Sequence, residues 1–529
     1  MFSFCTGLTS LDLSSFGKNE IEDMSSMFKN CASLTELNIN NLETQYVRNM
    51  NNLFSGCKKL TNIKFDKFTT NQVTDMSLMF ADCIALTSLN LANFDTSKVV
   101  NMQSMFQSCQ SLEQLDLSKF NTIKVTDMNG MFLNCQKLTS LNIANFNTEE
   151  TKYMSFMFSQ CYSLTSLDVS NFNTKKAIFN IKMFHACKSL KQLNVLNFDT
   201  SAFLSMASMF EDCSSLISLD LSNFDTSKVT SMDSMFNGCT SLVSINLGNF
   251  DTSNVYFMNK MFGNCNSLIN LDISKFVTKE VRSMEMMFDS CENLRSVDLS
   301  NLSGEKIENI NSMFRNCISL KEVKLSKFSN TVNLKIMNLL FYNCTSLESI
   351  DISKINTNNV VQLNSIFEGC NQLKQIDLSS FETYKVTSLE NMFNGCNSLT
   401  SIDLSNFNTD IVISTKGMFK NCYKLKDIKI QNFDTGIIND LSGMFYGCSS
   451  LENLNLSNFN TYLASNVSYM FDSCTNLKSL DLRLFNTKNC KDYTNIFNDC
   501  TQLHILINEN YCSNLIKDIP NYVVVEYIS

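Results

Sequence analysis

Apolar and polar positions alternate along this chain in a register that returns every 26 residues. In the stretch MFQSCQSLEQLDLSKFNTIKVTDMNG, from Met105 to Gly130, Leu112, Leu115 and Leu117 form the spacing L-x-x-L-x-L. Leu86, Leu89 and Leu91 repeat it one unit earlier. Leu115-Asp116-Leu117 alternates as a strand with one buried face does, so each unit is expected to open with a short strand. Phe120 follows where the chain would leave that strand and is expected to fill the corner. Next comes Asn121-Thr122, elsewhere Asp95-Thr96, Asp225-Thr226 or Asp434-Thr435. Such short polar side chains suit a helix N-cap, because their oxygens accept the free N–H groups of a first turn. Val125, Met128, Met131 and Phe132 then stand at i, i+3, i+6 and i+7, a spacing that predicts a short helix or 3₁₀ segment with one buried stripe.

The most constant mark of the register is a cysteine, as at Cys83, Cys109, Cys135, Cys161, Cys187, Cys213, Cys239 and Cys265. From Cys5 to Cys500 every interval is 26 residues except Cys317 to Cys344, which is 27. Self-similarity of this period marks a solenoid, in which one coil cannot bury its apolar face alone and stacking supplies the missing burial. The expected fold is an α/β solenoid: a leucine-rich repeat superhelix of about 20 coils, with one parallel sheet and short helices or 3₁₀ segments opposite it. The unbroken register predicts a single solenoid over residues 1–506. Ser303-Gly304 replaces the Asp-Thr corner, and the extra residue of the long interval is placed in Ser329-Asn330-Thr331-Val332. After Cys500 the strand opens as Leu503 and Leu506, but Asn508 takes a leucine position and the Met-Phe motif does not return. Residues 507–529, with Pro520 and Val523-Val524-Val525, therefore read as a C-terminal cap. At the other end Met1-Phe2 begins inside a repeat, which predicts an uncovered edge at Leu8, Leu11 and Leu13.

The chain has 22 cysteines, a number that invites a disulfide reading. A residue repeated once per coil makes parallel rungs, however, and disulfides need a crossed geometry that such rungs do not supply. The ladder is expected to consist of buried free thiols, with a Cys490–Cys512 bridge as one alternative outside it. A net charge of -9, with no block of Lys or Arg, excludes nucleic-acid binding through a basic face. No apolar run approaches the roughly 18 residues that cross a bilayer, and MFSFCTGLTS does not have the form of a signal peptide.

Enzyme chemistry finds little purchase. His185, between Phe184 and Ala186, and His504, beside the last strand, belong to no nucleophile, metal or phosphate-loop motif and read as surface residues. No Cys-x-x-Cys pair offers a metal site, and no cofactor is implied. The Met-Phe stripe is in phase with the leucines and reads as core. The strand position between two leucines is different, because it faces outward. It reads Asn90, Asp116, Asn142, Asp168, Asn194, Asp220, Asn246, Asp272, and Lys64, Lys324 and Lys429 break the acidic run elsewhere. Like charges directly opposite on adjacent strands destabilise a sheet, so the alternation can be a ladder tuned against self-repulsion. Equally, Asp116, Asp168, Asp220 and Asp272, with Ser118, Ser170 and Ser222 beside them, can form a face that binds a protein partner or weak Ca²⁺, although a defined calcium loop is lacking. Asn301, Asn343, Asn455 and Asn466 open glycosylation sequons that matter only in a secreted eukaryotic protein.

The phrase MF-x-x-C-x-S-L-T-S-L-D-L-S-N-F-D-T-S-K-V-T-x-M, almost whole from Met209 to Met232, resembles the BspA-like leucine-rich repeat surface proteins. The resemblance covers residues 1 to about 506. It implies a right-handed solenoid displayed on a microbial surface, with adhesion or host-matrix binding as its role. The resulting expectation is a non-enzymatic extracellular or cell-surface scaffold that mediates protein–protein adhesion through its sheet face. The alternative is a structural protein whose copies join end to end, through residues 1–16 and 510–529, into extracellular filaments.

Overall fold

The computed structural model describes residues 1–16, 20–40, 42–325, 328 and 330–528. The chain forms two compact units, one of Met1–Val255 with Asn264–Ser267 and the other of Tyr256–Gly263 with Leu268–Ser529. Both are solenoids of stacked coils, about 19 turns in all. In the first unit β1 (Ser10–Asp12) pairs with β2 (Glu36–Asn38), β3 (Gln114–Asp116) with β4 (Ser140–Asn142), and β5 (Ser218–Asp220) with β6 (Ser244–Asn246). In the second, β7 (Ser296–Asp298) pairs with β8 (Glu322–Lys324), and β9 (Ser401–Asp403) with β10 (Asp427–Lys429). Every pair is parallel and joins equivalent residues of neighbouring coils, so like stacks on like. The middle residue points inward, as Leu115 and Leu219 do, and its neighbours stay exposed.

Opposite the strands the expected helices are replaced by consecutive tight turns. Each coil holds two left-handed residues there, for example Ser104 (φ 52) and Ser108 (φ 57), which end any right-handed helical run. The N–H groups of Met102, Ser104, Phe106 and Ser108 donate to Asp127, Asn129, Met131 and Leu133 of the next coil, at 2.7–3.0 Å. Those of Met105, Gln107 and Cys109 donate three residues back within their own coil, at 3.1–3.2 Å. Alternate N–H groups thus hold the turn together and tie it to its neighbour. Met128, Met131 and Phe132 still face inward and are fully buried, because turns of this length return to the interior as often as a helix does.

The interior is a set of ladders. Phenylalanine rings from Phe2 to Phe236 in the first unit stack on one another with centroids 5.6–5.8 Å apart. Phe262 to Phe497 stack likewise in the second, at 5.3–5.8 Å. Cys5 is exposed, and each buried ladder cysteine from Cys31 to Cys500 adds a polar contact. Cys135 Sγ donates at 3.1 Å to the carbonyl of Phe106, which also accepts the N–H of Cys109 at 3.2 Å. All 22 cysteines are free thiols. The Cys490–Cys512 bridge does not form: Cys512 Sγ donates to Phe485 O at 3.1 Å and Cys490 Sγ to Asp492 O at 3.1 Å, so each thiol has its own carbonyl.

The corner threonines are buried and cap no helix. Thr96 Oγ1 donates to Asn121 O at 2.9 Å and accepts the Asn121 N–H at 2.7 Å, which makes it a bridge to the next coil. Its neighbour Asp95 accepts the Ser97 N–H at 2.9 Å in a turn of its own. At Ser303-Gly304 glycine is required by a close approach, since a Cβ on Gly304 would run into Thr331 Cγ2. Phe328 aligns with Leu302 and Thr331 with Gly304, so the extra residue falls between Phe328 and Thr331; Ser329 itself lies outside the described residues.

One stretch of the first unit departs from the ladders. Where other coils carry valine there stand Thr151, Ala177 and Phe203, and Asn180 takes a methionine position between Met154 and Met206. Thr151 satisfies its hydroxyl on Val125 O at 2.9 Å. Asn180 is fully buried, and neither its amide nitrogen nor its oxygen has a partner.

After the last coil, β11 (Ser479–Leu482), β12 (His504–Asn508) and β13 (Val524–Ile528) form one parallel sheet in that order. Asn508 caps α1 (Glu509–Cys512) by accepting the Asn510 N–H at 2.9 Å, and a 3₁₀ turn at Leu515–Asp518 follows.

Candidate strand-face site

The outward strand faces carry what the sequence singled out, with Asp116, Asp168 and Asp220 in the first unit and Asp272 in the second. Asp116, Asp168, Asp220 and Asp272 are exposed, with Ser118 and Ser222 half-buried and Ser170 exposed. Each aspartate first serves its own turn. The N–H groups of Ser118, Ser170, Ser222 and Ser274 donate to Oδ1 of the aspartate two residues before, at 2.9–3.0 Å. This turn closes the strand, and asparagine performs it equally well, as Asn194 does for the N–H of Leu196 at 3.1 Å.

The same donors fix the charge. The backbone N–H of Ser118 holds the Asp116 carboxyl below the usual range, and that of Ser222 does so for Asp220. For Asp168 and Asp272 the serine hydroxyls are the larger cause. All four are therefore ionised at neutral pH. Between coils, Asn246 Nδ2 donates to Asp220 Oδ1 at 3.0 Å, so the neutral rung solvates its charged neighbour. In the second unit Lys429 Nζ sits 2.9 Å from Asp403 Oδ2. The Ser405 hydroxyl and Lys429 together lower Asp403 to about 2.

Two residues of this face were not anticipated. Ile217 and Val243, 49% and 46% exposed, occupy the place that Thr87, Glu113, Thr139 and Lys191 hold in preceding coils. The Val243 N–H donates to Ile217 O at 2.9 Å, so the two side chains stand on adjacent rungs next to Asp220 and Asn246. Their signal in the sequence was an apolar run, Ile217, Val243 and Ile269, in an otherwise polar row.

The remaining candidates are placed elsewhere. The Met-Phe stripe is core. His504 is exposed on β12. His185 is no simple surface residue: Nδ1 lies 3.0 Å from Ser159 Oγ and Nε2 4.0 Å from Glu211 Oε2, and burial lowers its pKa against the pull of Glu211. Ser159 is only 1% exposed, so the trio is an inter-coil contact with no open nucleophile. Among the described residues no group of His, Cys, Asp or Glu could hold a metal ion, and no helix is long and apolar enough to cross a membrane. Leu8 and Leu11 are half-buried and Leu13 buried, while at the other end Val523 is buried, Val524 exposed and Val525 half-buried.

The chain is similar to several solved structures. A leucine-rich repeat protein from Bacteroides ovatus shares 17% identity over 84% of this chain and 88% of its own, with a TM-score of 0.32. A leucine-rich cell surface protein from Faecalibacterium prausnitzii shares 18% over 80% and 83%, with a TM-score of 0.23. An internalin from Listeria monocytogenes shares 16% over 81% and 88%, with a TM-score of 0.17. No curated protein matches. Six overlapping segments, 1–115, 105–218, 154–265, 238–345, 308–428 and 415–520, match one family profile, and the chain belongs to that family of BspA-like repeats, described as Mycoplasma protein of unknown function, DUF285.

Proposed function

We propose that the outward strand face binds a protein partner, which makes the chain a non-enzymatic adhesion scaffold working outside the cell or at its surface. The observation that carries this reading is the pair Ile217 and Val243, exposed on adjacent rungs beside the ionised Asp220 and its partner Asn246. An apolar anchor with a charged rim is the arrangement that interface hot spots share. Neither side chain is used by the interior, so the fold leaves both free for recognition. The extracellular setting rests on the resemblance to BspA-like surface proteins.

The test is binding of the intact chain to immobilised matrix proteins, beside the double variant Ile217→Ser and Val243→Ser. The variant is expected to keep its melting temperature and lose most of the binding, because truncating central anchors costs about 2 kcal/mol or more each. Equal binding by both proteins would remove this face from the reading.

A second reading, end-to-end joining of copies into filaments, is favoured by β13. It closes the sheet order β11-β12-β13 as an edge strand and exposes Val524 and Tyr527. An open edge is a template for another strand. Sedimentation of the intact chain beside one ending at Asn508 decides it: concentration-dependent growth of the intact chain alone supports joining, and two monomers at high concentration exclude it.

A further inference from the structure

Each coil places a left-handed residue before its Met-Phe or equivalent pair. In successive coils of the second unit these are Ser365, Asn391, Gly417, Gly443, Tyr469 and Asn495, with φ between 53 and 61. Two consecutive rungs here are glycine and so lack side chains. At Gly417 a Cβ would run into Asn391 Oδ1, the end of a side chain that would have to swing aside. At Gly443 there is no such clash. A Cβ there would meet only Tyr446 Cβ, at an ordinary 3.7 Å, and Ser365, Asn391 and Tyr469 hold the same backbone conformation with a side chain. The absence at Gly443 therefore opens space, beside sparing the left-handed backbone the strain that a side chain brings there.

The space is a surface pit of about 400 Å³, within the ordinary range for small-molecule sites. Tyr446 and Tyr469 wall it, and Tyr469 is 40% exposed. Lys420 Nζ lies 5.1 Å from the centre of the Tyr446 ring, which fixes one amine at the wall, and the exposed Lys416 supplies another. Asn466 and Ser468 line it too: the Ser468 hydroxyl donates to Asn466 Oδ1 at 2.7 Å, which leaves the Asn466 amide N–H groups and the Ser468 oxygen for a ligand. No carboxylate lines the pit, and Asp440, in the same coil as Gly443, is engaged by the Ser442 N–H at 2.8 Å.

We propose that this pit binds an acidic monosaccharide unit of a glycan. A pyranose presents an apolar C–H face that suits a tyrosine wall, and its hydroxyls suit amide and hydroxyl partners. Two amines without a lining carboxylate select a ring that carries a negative group. A bare inorganic anion would leave the aromatic walls unused, and a neutral sugar would leave the amines unused. The site lies on the turn side of the coils and stands independently of the strand-face reading.

Calorimetric titration of the intact chain with glucuronic acid, glucose and inorganic sulfate tests it. Glucuronic acid is expected to bind about tenfold or more tightly than glucose, since one charge-assisted contact is worth at least that ratio. Sulfate is expected not to displace it. Gly443→Asn places in the pit a side chain that Asn391 already carries in the same conformation. It should stay folded with a slightly lowered melting temperature, because asparagine tolerates left-handed backbone at a small cost, and abolish binding. Lys416→Gln should weaken glucuronic acid by about tenfold and leave glucose unchanged. Absence of glucuronic acid binding, full binding by a folded Gly443→Asn variant, equal affinity for glucose, or displacement by sulfate would each overturn the proposal.

Discussion

The two sides of a coil are held together differently. On the turn side of the first unit parallel bridges run without a break through Asp23, Asn49, Asp75, Asn101, Asp127, Tyr153, Phe179, Ser205 and Ser231. On the strand side the same coils form ladders only in pairs of three residues, such as β3 with β4 and β5 with β6. A parallel leucine-rich sheet is the spine that the sequence pattern suggests, yet the more continuous backbone tie lies opposite it. The contrast teaches where variation is tolerated. Interior positions repeat because each packs against its own coil and the next, whereas exposed positions vary on both sides: the turn side is tied through backbone groups and carries Asp, Asn, Tyr, Phe or Ser, and the strand face carries Asp, Asn, Lys or Ile.

Alkaline pH should strike the interior hardest. Burial pushes the thiols of Cys135, Cys213 and Cys265 up to about 12 from an ordinary 9.0. A group whose pKa is raised on folding stabilises the protein fully below its unfolded value, and that contribution disappears as pH climbs through the folded value. The window is thus pH 9 to about 12, and each pKa unit is worth about 1.4 kcal/mol for every ladder thiol. Circular dichroism should show unfolding within it, and Cys135→Ala should move the midpoint upward. A chain still folded at pH 12, or an unmoved midpoint, would show that the thiols do not control alkaline stability.

Single truncations sharpen the contrast between the two sides. Phe132→Ala removes a fully buried ring stacked on both neighbours and should cost about 3–5 kcal/mol. Asp116→Ala, on the strand face, should cost less than about 1 kcal/mol. Denaturant unfolding compares them, and similar losses would erase the distinction drawn here.

Asn180→Met restores the interior ladder and removes an unpartnered buried amide, so it should stabilise by about 1–3 kcal/mol. Slower amide exchange in the flanking coils would register the gain. Unchanged exchange there would mean that Asn180 is satisfied in solution. The smallest effect is expected from Asn246→Asp, which replaces a donor to Asp220 with a like charge. The loss should be about 0.2–1 kcal/mol and shrink in high salt. If the melting temperature holds at low salt, the alternation of Asp and Asn does nothing for the sheet.

The sequence by itself determined the period, the inward leucines and phenylalanines, the reduced cysteine ladder and the outward row of Asp and Asn. Each follows from one repeated residue, and stacking at a fixed interval places every copy alike. The form of the segment opposite the strands was another matter. Val125, Met128 and Met131 recur at i, i+3 and i+6, and both a helix and a run of tight turns bring such positions inward. Left-handed backbone at Ser104, Ser108 and Asn134 bears no glycine to announce it. What selects turns is the neighbouring coil, whose carbonyls at Asp127, Asn129 and Met131 take the N–H groups that a helix would have used internally. The same holds for the threonine corners and for the pit at Gly443. Short polar residues and glycine serve several local structures, and only the adjoining coil decides which partner each polar group meets and which space stays open.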